Sequence, residues 1–273
     1  MTDALSVALV QLDARDDVEA NIAAAADLAD EAARGGARLV ALPEYLQYRG
    51  PAKGYRESAR PIPGPHTAPF AEIARRNDCW ILVGSLAEAT GDARCYNTSV
   101  LLAPDGTCRA TYRKIHLFDV DVEAGPSDRE SSRVAPGKEV VTVDVDGVTL
   151  GLTVCYDLRF PELYRTLALR GATVLTVPSS FTERTGRDHW EVLLRARAIE
   201  NGAWVLAPAQ IGGPRGQPSY GRSMVVDPWG TVVAQAPDTV GVIRAEIATD
   251  RAAAIRRQIP SLANRRPETY DLG

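Results

Sequence analysis

Cys155 stands directly after the apolar run 148–154 and shortly before Pro161, where an expected strand gives way to an expected helix. A thiol at such an elbow can face a pocket while neighbouring backbone N–H groups face a developing oxyanion, the layout of covalent acyl transfer. The commoner reading of a single cysteine is a small, inert, buried thiol, and one strand does not reveal the electropositive neighbourhood a thiolate needs. Two further strand ends carry chemistry-bearing residues: Glu44 in Leu42-Pro43-Glu44-Tyr45, and Lys114 in Tyr112-Arg113-Lys114-Ile115-His116. Taken singly, each reads as a solvated surface charge. Taken together they are coherent, because an ammonium lowers the pKa of a nearby thiol and a partly desolvated carboxylate exchanges protons near neutrality.

His116 and His189 offer a Cys–His pair instead. That alternative leaves Glu44 and Lys114 unexplained, so His116 is read as ordering the lysine strand. The four cysteines, Cys79, Cys95, Cys108 and Cys155, contain no Cys-x-x-Cys spacing, which argues against a zinc ribbon or a redox dithiol and for free thiols in a reducing cytoplasm. There is no Gly-x-Ser-x-Gly elbow, phosphate loop, dinucleotide fingerprint or His-Glu-x-x-His helix. Neither a metal nor an organic cofactor is expected.

These residues need strands that end at one place. The 273 residues suffice for one large α/β domain, and a formal charge of −4 with interleaved arginines gives no basic stripe for nucleic acid. The start of the chain has no basic leader, and no segment has the apolar length of a membrane span. Apolar runs predict strands at 7–12, 39–42, 80–84 and 174–177, with another at 204–207, and hairpins over 98–112, 140–154 and 223–235. Helical stripes cover 18–34, 67–77, 161–170 and 188–201, with Pro161 early in its helix and Gly171 just past its end. Residues 117–136 read as a long acidic loop after Lys114, a length that is often functional. Helices on both sides of packed sheets fit this alternation.

The three motifs, in this order, resemble the nitrilase (carbon–nitrogen hydrolase) superfamily, whose Glu, Lys and Cys triad falls on Glu44, Lys114 and Cys155. The resemblance runs over almost the whole chain. It includes Pro178-Ser-Ser-Phe-Thr182, Thr185-Gly186, His189-Trp-Glu-Val-Leu-Leu-Arg-Ala-Arg-Ala-Ile-Glu200 and Ser223-Met-Val-Val-Asp-Pro-Trp-Gly230. It implies a four-layer α-β-β-α sandwich over residues 1–273, with 260–273 as a C-terminal arm. The chemistry implied is amide hydrolysis through a cysteine thioester, with Glu44 moving the proton and Lys114 and the Tyr156 N–H holding the oxyanion. A second assisting glutamate falls on Glu130, with Glu123 and Asp128 as rivals in the same loop.

The last stretches look like the branch containing deaminated glutathione amidase and ω-amidase, which implies a small acidic 2-oxo acid amide as substrate and ammonia as product. The first activity is the better match and the second the alternative. A true nitrilase shows Cys-Trp-Glu where this chain has Cys155-Tyr156-Asp157, and a catalytically silent binding scaffold is the reading of another class. Substrate contacts are expected from Tyr156, Arg159, Phe181, Thr182, Thr185 and His189. Against this, Arg159 also reads as an ordinary ion pair and Phe181 as core packing. The resemblance further implies a homodimer or larger homo-oligomer, using the apolar side of helix 188–201 unless that side is core, with the 265–270 arm able to reach a neighbour.

Overall fold

The computed structural model describes residues 4–123, 127–214 and 216–270. The first half runs β1 (Ala4–Gln11), α1 (Val18–Arg34), β2 (Leu39–Ala41), α2 (Ala52–Glu57), α3 (Ala68–Asn77), β3 (Trp80–Glu88), β4 (Tyr96–Leu102) and β5 (Cys108–Arg113). A short ribbon, β6 (Asp119–Asp121) with β7 (Ser127–Arg129), leads to the second half. That half comprises β8 (Thr142–Val145), β9 (Val148–Leu152), α4 (Pro161–Leu169), β10 (Val174–Thr176), α5 (Glu183–Asn201) and β11 (Trp204–Ala207). A second ribbon, β12 (Ile211–Gly212) with β13 (Ser219–Tyr220), precedes β14 (Met224–Val226) and β15 (Val232–Gln235). Finally β16 (Gly241–Ala248) and α6 (Arg251–Gln258) return to the first half.

Two six-stranded sheets result, ordered β16-β1-β2-β3-β4-β5 and β15-β14-β11-β10-β9-β8. Each has three parallel central strands and antiparallel flanks. Parallel strands buried on both faces must be apolar at every position, and β1 shows why. Its Val7 and Leu9 join the core shared with the second sheet, whereas Ala8 and Val10 pack under the alanines of α1 and under Phe70 and Ile73 of α3. On the far side, α4 and α5 cover the second sheet through Leu163, Leu167, Trp190 and Leu194. The layers are therefore α-β-β-α, as the sequence implies.

The helices start and stop where their caps dictate. Asp17 accepts from the Ala20 N–H at the start of α1, and the residues following α4 and α5 include Gly171 and Gly202 at positive φ. Some boundaries differ from the sequence reading. α5 begins five residues earlier, at Glu183, because Thr182 already turns the chain in. The loop expected over 117–136 is broken by β6, β7 and a 3-10 turn at Glu130–Ser132. After α6, residues 260–270 contain turns and one 3-10 helix at Pro267–Thr269, and are largely exposed.

Candidate active site

Glu44, Lys114 and Cys155 arrive from the ends of β2, β5 and β9, three strands whose termini meet at one edge of the sandwich. Pro43 stops β2 after the Leu42 N–H has bonded the Leu82 carbonyl (2.9 Å), and Tyr45 takes a left-handed φ of 55°. Gln210 Nε2 then holds the Glu44 carbonyl (3.0 Å), and the Ser180 N–H donates to Glu44 Oε2 (2.9 Å). This turn fits only because residue 84 is glycine: a Cβ there would lie 1.8 Å from the Leu42 carbonyl oxygen and 2.7 Å from Pro178 Cβ. Lys114 follows β5 with its N–H on the Asn97 carbonyl (2.9 Å). Cys155 opens a 3-10 turn at φ 49°, a strained conformation for a side-chain-bearing residue, and its N–H bonds the Pro178 carbonyl (2.9 Å).

All three are buried, with Glu44 and Lys114 1% and Cys155 7% exposed. Lys114 Nζ lies 2.9 Å from Glu44 Oε1 and 2.9 Å from Glu130 Oε2. Of the rivals in the acidic loop, Glu130 is thus the carboxylate brought to the lysine; it is 0% exposed, while Asp128 pairs with Arg133. Asn97 Nδ2 bridges the two glutamates (3.0 and 3.1 Å), and Glu130 also accepts from the Tyr45 hydroxyl (2.6 Å) and the Phe118 N–H (2.6 Å).

Burial works against the charge of Glu130, yet Lys114 and these donors hold its carboxyl below the usual range. Burial also works against the Lys114 ammonium, but Glu130, Glu44 and Cys155 together keep it charged far into alkali. For Cys155 the sequence expectation of a lowered thiol pKa is corrected. Burial first, then the negative charge of Glu44, push the thiol well above its ordinary value, and Lys114 opposes them without reversing the outcome. One buried cation is shared by two buried carboxylates, so the local charge favours keeping the proton on sulfur.

Several residues at the site were not singled out from sequence. Asp157, fully buried, accepts from the Val154 N–H (2.9 Å), the Tyr112 hydroxyl (2.7 Å) and the His116 N–H (3.0 Å), and pairs with His116 Nδ1 (2.7 Å). It ties the cysteine turn to the lysine strand. His116 is held there and stacks on Phe160 at 3.6 Å, which accounts for it without a bond to the thiol.

A cavity of about 960 Å³ opens over the cluster and is lined by Glu44, Lys114 and Cys155 together with Tyr156, Phe181, Thr182 and Thr185. Arg159 and His189 are not among its lining residues; they lie 3.3 Å from each other, with the Arg159 guanidinium set over the rings of Phe181 (5.3 Å) and Tyr156 (5.9 Å). Phe181 also leans on Trp190, so its wall and core readings coexist. Residues that sequence did not flag, among them Tyr45, Arg49, Arg133 and Ser219, complete the wall. Among the described residues, no group of three or more His, Cys, Asp or Glu side chains is placed to hold a metal ion.

The sequence profile of the family described as "Carbon-nitrogen hydrolase" matches residues 6–257. The chain is 43% identical over 264 residues to the deaminated glutathione amidase of Synechocystis sp., covering 94% of this chain and 97% of the relative. It is 37% identical to omega-amidase NIT2 of Homo sapiens, covering 97% and 96%. The crystal structure of the C. elegans NitFhit protein superposes with a TM-score of 0.93 at 38% identity, over 99% of this chain and 67% of that one. Profile, relatives and fold agree with the order of the three strand ends: this chain is a member of the carbon–nitrogen hydrolase family, within the nitrilase superfamily.

Proposed function

We propose that the chain is an amidase that cleaves its substrate through a thioester on Cys155, and that its substrate is deaminated glutathione. The observation that carries the chemistry is Lys114, fixed at 2.9 Å from each of two buried carboxylates beside a buried cysteine. Two of its three N–H bonds are thereby engaged, leaving a third for a substrate oxygen. The substrate choice rests on the 43% identity to a relative of that name.

Glu44 takes the thiol proton as Sγ attacks the amide carbon, and the carbonyl electron pair moves onto oxygen. Lys114 Nζ and the Tyr156 N–H hold that oxyanion. Collapse breaks the C–N bond while Glu44 returns its proton to the departing nitrogen, leaving the acyl group on sulfur. Water then attacks the thioester with Glu44 accepting its proton, and the second collapse restores the thiol and frees the carboxylic acid. Because the thiol is held protonated, deprotonation and attack belong to one step. Glu130, which does not line the cavity itself and bonds Lys114 Nζ at 2.9 Å, acts as a positioning residue.

The leaving group separates the two candidate substrates. An ω-amide such as 2-oxoglutaramate releases ammonia. Deaminated glutathione, whose scissile amide joins the 2-oxo acid to a peptide, releases cysteinylglycine, which corrects the expectation of ammonia for both. Incubating the purified protein with each compound and quantifying cysteinylglycine, ammonia and 2-oxoglutarate tests the reading. A clear kcat/KM preference for deaminated glutathione is expected. Preference for 2-oxoglutaramate makes the chain an ω-amidase, and release of no product from either leaves a binding scaffold.

The working form proposed is a homodimer or larger homo-oligomer in the cytoplasm, with the 265–270 arm reaching the neighbour. Exposed Val192 and Ile199, seven residues apart on α5, and the nearby Trp229 support an association face there. Sedimentation of the wild type against Val192→Glu checks it, a monomeric wild type being the adverse result.

A further inference from the structure

Arg49 lines the same cavity as Cys155 and is 7% exposed. Its Nη2 is fixed by Ser219 Oγ (2.8 Å) and the carbonyls of Gly212 (3.2 Å) and Gln217 (3.3 Å). Gly213 closes over the guanidinium so tightly that a Cβ there would lie 2.3 Å from Nη2. Nη1, by contrast, is buried with no hydrogen-bond partner among the described residues. Nor does Arg49 form an ion pair among them: Asp13, the opposing charge that acts on it most, bonds Arg15 through Oδ2, and its buried Oδ1 has no hydrogen-bond partner among the described residues. Burial draws the guanidinium down only to about 10, so it remains charged at neutrality.

A buried cation with its orientation fixed, one nitrogen satisfied and the other unpaired is costly unless a ligand supplies the missing acceptor. Its position is specific. From Glu44 Oε2 the path runs through the Ser180 N–H (2.9 Å), across Ser180 Oγ to Ser219 Oγ (2.9 Å), and on to Arg49 Nη2 (2.8 Å). That wall is built by the β12–β13 ribbon, away from Arg159 behind Tyr156 and Phe181.

We propose that Arg49 is a specificity-determining residue that receives a carboxylate of the substrate at its unpaired Nη1. The role rests on the reading of the substrate as an anionic amide and adds to it a fixed point of recognition. Deaminated glutathione carries two carboxylates, one on the 2-oxo acid and one on the terminal glycine, and either can meet Arg49.

Calorimetric binding to the full chain carrying Cys155→Ala, so that nothing turns over, separates the possibilities. The titrants are deaminated glutathione and its analogue with the terminal glycine as an amide. Adding Arg49→Met is expected to weaken deaminated glutathione at least tenfold, with Arg49→Lys, which keeps the charge but not the fork, intermediate. Loss confined to deaminated glutathione assigns the glycine carboxylate to Arg49, and equal loss for both assigns the 2-oxo acid carboxylate. Binding within twofold of the parent in folded Arg49→Met, or in Arg49→Lys should the first variant not fold, overturns the role of Arg49 alone. A parent that binds neither compound rejects the substrate reading, and this role with it.

Discussion

At Cys155 the contest between burial and charge sets how the thiol reacts. Its raised pKa means the thiolate fraction is small at neutrality, so alkylation by iodoacetamide should be slow at pH 7 and climb as the pH passes 9; half-maximal reactivity below pH 7 would contradict the geometry. Glu44→Gln sharpens the test, because it removes both the base and the charge that helps hold the proton on sulfur. Turnover should fall at least about 100-fold while alkylation at pH 8 becomes faster, opposite signs from one substitution. Cys155→Ala should cost at least about 1,000-fold in turnover with little change in melting temperature. Glu130→Gln leaves Lys114 one carboxylate partner, and breaking a buried pair of this kind costs about 3–5 kcal/mol. Chemical denaturation measures that loss, and a change under about 1 kcal/mol would show the pair to be incidental.

Among the elements, the approach of β3 to the end of β2 sets the position of Glu44. Gly84→Ala should lower stability by about 1–3 kcal/mol through overpacking and reduce kcat with it, since the Leu42 carbonyl and Pro178 must give way. Melting temperature and kcat measured on the one variant check this, and an unchanged kcat would detach the glycine from the site. The strand ends bearing Glu44 and Cys155 were legible because apolar runs stop there, at Pro43 and at the cysteine itself, whereas Lys114 follows the polar strand Cys108–Arg113 and stood out only beside the other two motifs. Asn97, Tyr45 and Asp157 were not legible, since a polar residue inside or just beyond a strand has the same local sequence whether it bonds a buried carboxylate or water. β16 escaped for a related reason: at the sheet edge its pattern is half-buried and broken by Arg244 and Glu246. The alanines and arginines of α6 give little apolar stripe. Arg49 was not singled out, as nothing nearby in sequence announces the ribbon that encloses it.

For the whole molecule the buried charges bound the range of pH over which it is stable. Glu130, lowered in the fold, stabilises above its unfolded value, and that contribution is lost as the pH falls through the folded one. Lys114, raised, stabilises fully below its unfolded value and loses this as the pH rises through the folded one, while Cys155, neutral in both states at low pH, begins to cost stability once the pH passes its unfolded value, where the unfolded thiol ionises and the buried one resists. A melting temperature that is flat between about pH 5 and pH 8 and declines on both sides is expected; a maximum below pH 4 would refute the assignment of Glu130. The pairing of β16 with β1 over eight residues, from Ala4 with Ala248 to Gln11 with Gly241, also bears on how the fold assembles. Every strand of the second sheet lies between these two in the chain. Closing the first sheet therefore waits on one of the longest loop closures in the molecule, and until it is made β1 keeps one hydrogen-bonding edge open.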